Sequence, residues 1–110
     1  MRTYRKYRDV LIDDLRNDPE HAHAYLQVAL EEFEEDGDTR QLMVALRNVA
    51  EAQGGVPALA KKVKMGKTSL YKALSEEGNP RLSTIYAILH GLGYKLMLAP
   101  RDKERDKESA

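Results

Sequence analysis

Two short stretches of helical pattern, separated by a turn of three residues, constrain this chain more than any other feature. The first covers residues 56–63, with Pro57 in its first turn and Leu59, Ala60 and Val63 on one side. Lys64-Met65-Gly66 reads as a tight turn. The second covers residues 67–75, with Leu70 and Leu74 one turn apart on the inner side. Gly54-Gly55 closes the unit upstream and Glu77-Gly78-Asn79-Pro80 breaks the chain downstream, because Gly, Asn and Pro together interrupt helices.

The flanking segments are helical too. Asp18 is a good N-cap, Pro19 suits a first helical position and Gly37 suits a C-terminal stop. Between them Ala22, Tyr25, Leu26, Ala29, Leu30 and Phe33 recur at three- and four-residue steps, one apolar stripe of an amphipathic helix. Tyr25 and Phe33 are read as core on that basis. Asp38 is expected to cap the next helix, with Gln41 three residues on as in a capping box. Leu42, Leu46, Val49, Ala50 and Gln53 share its face. Residues 1–6 read as frayed, and residues 7–16 as a short helix with Tyr7, Val10 and Leu11 together. Near the other end, Ser83 is expected to cap a last helix with Ile85, Ile88, Leu89 and Leu92 inward, closed by Gly91 or Gly93. Residues 94–99 read as a short strand stopped by Pro100. A lone strand is not stable by itself, so it needs a second copy of the chain or a partner's sheet edge. Residues 101–110 are densely charged and read as a disordered tail.

Composition narrows the class. The 110 residues fit one domain, and 42% hydrophobic content supplies a core. The chain has no cysteine, which removes disulfide scaffolds and thiolate metal sites and fits a reducing compartment. No apolar run approaches the ~20 residues of a membrane span, and the charged start lacks the apolar centre of a signal peptide. A cytoplasmic protein with no membrane partner is expected. The net charge of zero hides two halves of opposite sign. Residues 1–53 hold 7 Lys/Arg against 12 Asp/Glu, and residues 54–110 hold 11 against 6. Opposite halves suggest two partners or two faces, and only the basic half suits phosphate.

The basic half contains the two short helices, and their spacing is that of a helix-turn-helix. In that motif the first helix lies across the phosphate backbone and the second enters the major groove of double-stranded DNA. The groove is ~12 Å wide and admits one helix. The first turn of the entering helix should then carry hydrogen-bonding side chains, and here it carries Lys67, Thr68 and Ser69, followed by Tyr71 and Lys72. Lys donates to guanine O6 and N7, while Thr donates, accepts or touches a thymine methyl. Residues 54–81 hold six Lys/Arg and two Asp/Glu, a local charge of +4. The plain alternative is a solvated basic face on a small bundle.

Leu59-Ala60, the turn at residues 64–66, Ser69-Leu70-Tyr71-Lys72-Ala73-Leu74-Ser75, Gly78-Asn79-Pro80, Ser83-Thr84 and Leu92-Gly93 together resemble the Cro and phage-repressor class. The likeness is closer to one branch, the addiction module antidote proteins, which are HigA-like antitoxins paired with RelE-like ribonuclease toxins. Leu-Tyr-Lys-Ala-Leu-Ser before Gly-Asn-Pro carries it, with Asp18-Pro19-Glu20, Ala24-Tyr25-Leu26, Ala29-Leu30-Glu31-Glu32 and Ala45-Leu46-Arg47-Asn48-Val49-Ala50 upstream. The resemblance spans roughly residues 7–99. It implies an all-α fold, a five- or six-helix bundle of the lambda-repressor-like helix-turn-helix type, with the short C-terminal strand added. Residues 1–37 would be a helical extension, 38–99 the DNA-binding domain and 100–110 the tail. It also implies a homodimer that represses its own promoter and neutralises a RelE- or HigB-like toxin. Position by position, it puts Lys67, Thr68 and Lys72 at base edges with Tyr71 nearby, and Gly55, Asn79 and Arg81 at phosphates. The chain departs from the class twice: Lys64 stands where the turn usually has glycine, and Gly66 where the second helix usually has a Ser or Thr cap.

Glu31, Glu32, Glu34, Glu35 and Asp36 crowd the C-terminal end of their helix, where the helix dipole is already negative. Like charges four residues apart add to the penalty. A basic partner would offset it, which makes Glu31, Glu32, Glu34 and Glu35 candidates for the toxin contact; a solvated face that aids solubility is the alternative. Tyr94, Leu96 and Leu98 are candidates for a dimer seam. Gly66-Lys67-Thr68 imitates the end of a P-loop, but Lys61 stands where the earlier glycine belongs. His21, His23 and His90 are spaced poorly for zinc, and no serine has an evident His/Asp partner, so neither metal, cofactor nor enzymatic chemistry is expected. Two rivals stay open: a stand-alone regulator without a toxin, and an interaction module that has lost DNA binding.

Overall fold

Asp18 ends one helix and begins the next. Its backbone N–H donates to the Asp14 carbonyl at 3.0 Å, and its side chain accepts from the His21 N–H at 3.1 Å. The structure is a computed structural model describing residues 2–75 and 79–101, with side chains from residue 6 onward. Helix α1 spans Arg2–Asn17, α2 Pro19–Asp36, α3 Arg40–Ala52, α4 Val56–Val63, α5 Lys67–Ala73 and α6 Leu82–Gly91. The fold is an all-α bundle.

Helix α1 differs from the sequence reading in two ways. It is helical from Arg2, where fraying through residue 6 was expected. Its inner face is also rotated: Tyr7 and Val10 are exposed, and Leu11, Ile12 and Leu15 pack on the core. Arg8 occupies the fourth place in that stripe and hides the period, because its Nε donates to Asn48 Oδ1 at 3.2 Å instead of reaching solvent. Arg16 from the same helix donates to the Ala52 carbonyl, one of the acceptors left open at the end of α3.

Gly37 ends α2 as expected, in the left-handed conformation, with its N–H on the Phe33 carbonyl. The capping box at Asp38 does not form. The Asp38 N–H, which Gln41 would have accepted, goes to Asp36 Oδ1 at 2.8 Å. Thr39 holds the N-cap position without a side-chain bond, and Asp38 Oδ1 accepts the Arg40 N–H at 2.9 Å. Helix α3 is central. It buries Leu42, Met43, Ala45, Leu46, Asn48, Val49, Ala50 and Ala52, and α1, α2 and α4 all pack against it.

Gly54 and Gly55, both at positive φ, turn the chain into α4, whose bounds match the sequence reading. Helix α6 packs across α4 at Gly91. A Cβ there would lie 2.7 Å from both Leu59 Cδ1 and Val63 Cγ1. Arg81, in extended conformation, precedes α6, so Ser83 lies inside the first turn and is not the cap. Gln53 Nε2 donates to the Leu92 carbonyl at 2.9 Å and ties the end of α3 to the end of α6.

The expected C-terminal strand is absent: residues 94–100 have no regular structure, and the described residues contain no strand. A single extended segment has no ladder partner within its own chain. Glu77 and Gly78 of the expected loop, and residues 102–110 of the expected tail, lie outside the described residues. Among the described residues, no helix is long and apolar enough to cross a membrane.

Candidate nucleic-acid interface

The turn between α4 and α5 is built on Lys64, the one non-glycine residue at positive φ among the described residues, at φ 56° and ψ 41°. The N–H groups of Lys64 and Met65 both reach the Ala60 carbonyl, which closes the end of α4. Gly66 is extended and precedes α5 without a side-chain cap, as a glycine must. Helix α5 is shorter than expected and ends at Ala73, with Ser75 Oγ donating to the Lys72 carbonyl at 2.8 Å.

The two sides of α5 differ sharply. Leu70 and Leu74 are fully buried, and the partly buried Met65 packs against the core. Lys67, Thr68, Tyr71 and Lys72 are all exposed. Thr68 and Lys72, four residues apart, face away from the leucines, Tyr71 stands on the flank between, and Lys67 lies in the exposed first turn. The buried leucines fix the rotation of α5, so this basic face is held outward by packing and not by propensity. Asn79 and Arg81 are exposed beyond the undescribed residues 76–78, and Gly55 is half-buried ahead of α4 at φ 97°.

One residue that the sequence reading passed over touches this face. The Arg47 guanidinium carbon, from α3, lies 5.6 Å from the centre of the Tyr71 ring, within cation–π range. Arg47 Nε is buried and has no hydrogen-bond partner among the described residues. No periodicity marks Arg47, since it lies at the edge of an apolar face. Asn48 does carry a signal, as a polar residue inside an apolar stripe.

The remaining candidates lie elsewhere. Glu31, Glu32, Glu34 and Glu35 are all exposed on the last turns of α2. Leu96 is 41% and Leu98 102% exposed, whereas Tyr94 folds back on its own chain. Its ring stacks on His23 of α2 at 5.9 Å, and burial raises its phenol pKa. His90 stacks on Tyr86. Among the described residues, no group of three or more His, Asp or Glu is placed to hold a metal ion.

A family model described as a probable addiction module antidote protein matches residues 8–100. No curated protein and no solved structure matches the chain.

Proposed function

The chain belongs to the probable addiction module antidote family, and from that membership we propose that it acts as an antitoxin that also reads DNA at its own promoter. Antidote membership carries the antitoxin role and, in general terms, a toxin partner. The single observation that supports DNA reading is the exposure of Lys67, Thr68, Tyr71 and Lys72 on α5, a helix that Leu70 and Leu74 bury from its other side. In this reading Lys67, Thr68 and Lys72 reach base edges from the major groove, while Gly55, Asn79 and Arg81 meet phosphates.

One recognition helix reads only a few base pairs. A homodimer reading half-sites one helical turn apart, ~34 Å, supplies the missing specificity. Leu96 and Leu98, exposed on the irregular segment after Gly93, form the seam, with Tyr94 anchoring that segment to its own chain. The partner is a basic, RelE-like ribonuclease, and it docks on the Glu31, Glu32, Glu34 and Glu35 face, where opposite charge relieves repulsion at the end of α2.

Fluorescence anisotropy on a duplex from just upstream of the chain's own gene, with random competitor DNA and a salt series, tests the DNA reading. Binding that survives competitor and weakens steeply with salt is the expected result. Absence of binding at low salt overturns it and leaves toxin capture as the activity.

A further inference from the structure

Arg47 is the residue whose placement the proposed contacts do not use. It projects from α3, outside the two helices of the motif, yet its guanidinium lies over the ring of Tyr71 on the exposed flank of α5. Its Nε is the buried, unpartnered atom; the terminal nitrogens are not buried. No carboxylate pairs with Arg47 among the described residues. A guanidinium carries five donors and stays charged, and it stacks readily on an aromatic face. A partly buried cation held on an aromatic platform, with no carboxylate partner among the described residues, is suited to bind an anion from outside the chain.

We infer that Arg47 is a phosphate-binding residue of the DNA interface, and that Tyr71 serves as the platform that holds its guanidinium beside α5. The inference rests on the DNA reading proposed above. A helix lying in the groove places its tip at the bases and its flanks at the phosphate walls. Arg47 belongs to a different helix and meets α5 at the flank, so the anion it meets is backbone phosphate. The ring of Tyr71 is covered on one side by that cation, which makes it a support for Arg47 and not a free reader of base edges. The basic patch is thereby extended to α3, beyond residues 54–81.

The test uses the full chain in the same anisotropy assay, on the upstream duplex and on a random duplex of equal length. Arg47→Met keeps the aliphatic stem and removes the charge. It should weaken both duplexes by the same factor and lower the slope of log affinity against log salt by about 0.9. Arg47→Lys keeps the charge and should restore the slope. In a Tyr71→Leu background, Arg47→Met should cost less than in the wild type, because the platform is already gone. Circular dichroism checks folding, and Arg47→Gln repeats the measurement if methionine is not accommodated. An unchanged slope in folded Arg47→Met and Arg47→Gln overturns the proposal and leaves Arg47 a packing residue. A loss confined to the upstream duplex also overturns it, by assigning Arg47 to a base. Full additivity with Tyr71→Leu removes the platform role. Failure of the wild-type chain to bind either duplex overturns the DNA reading itself, and this inference with it.

Discussion

The side-chain amide of Asn48 donates to the Tyr25 hydroxyl at 3.0 Å, and its carbonyl accepts from Arg8, so one buried residue of α3 binds both α2 and α1. Asn48 is 5% exposed and is the one buried polar residue among those described. Asn48→Ala should lower stability by about 1–3 kcal/mol, because its partners lose a buried bond. Tyr25→Phe should cost about 1 kcal/mol, and the double variant should show coupling in urea unfolding. Simple additivity would remove the bond from the account.

The close crossing of α6 over α4 depends on Gly91. Alanine gains roughly 1 kcal/mol of helix propensity there but meets Leu59 and Val63 at 2.7 Å. Overpacking typically costs about 1–3 kcal/mol, so the two effects nearly offset in Gly91→Ala. Gly91→Val adds two methyls at the same contact and should destabilise by about 2 kcal/mol or more, read as a lowered denaturation midpoint with unchanged slope.

Lys64 holds a left-handed backbone that costs a side-chain-bearing residue about 1 kcal/mol more than glycine. Lys64→Gly should therefore raise stability by about 1 kcal/mol and the melting temperature by about 4–8 °C. A lower melting temperature would show that the lysine side chain contributes more than its backbone costs.

Asp38 has its carboxyl pKa lowered from 3.8 to about 2, chiefly by the side-chain hydrogen bond from Arg40 and then by the Arg40 backbone N–H. A folded-state pKa below the unfolded value gives stability that is fully present above pH 3.8 and is lost as pH falls towards 2. Asp38→Asn should flatten the stability profile in that window, and NMR titration should place the Asp38 midpoint near 2. A midpoint at the ordinary carboxylate value would contradict the Arg40 pairing.

The roles within the proposed DNA face can be separated. Thr68→Ala or Lys72→Ala should weaken the true operator more than random DNA, by about 1–3 kcal/mol for a base contact. Arg81→Ala should weaken both alike and lower the salt slope by about one. If all three behave alike, the division between base and phosphate contacts is wrong.

Most of the helices were legible in the sequence because their signals are local. Asp18, Pro19, Gly37 and the Gly54-Gly55 pair act through their own φ/ψ preferences and nearest hydrogen bonds, and the bounds they imply for α2 and α4 match the structure. The leucine pair Leu70 and Leu74 marks the inner face of α5 through the helical period, and their burial matches it. What tertiary structure decided are the places where a polar side chain finds a partner far along the chain. Arg8 sits in an apolar stripe because Asn48 is 40 residues away in sequence but hydrogen-bonded to it in space. The segment after Gly93 forms no strand, because a ladder needs a neighbour that one chain does not supply. Arg47 comes to lie over Tyr71 because α3 and α5 both pack on α4, a juxtaposition that no local periodicity encodes. Backbone preference is a property of each residue, whereas the partner of a charged or polar group is a property of the whole fold.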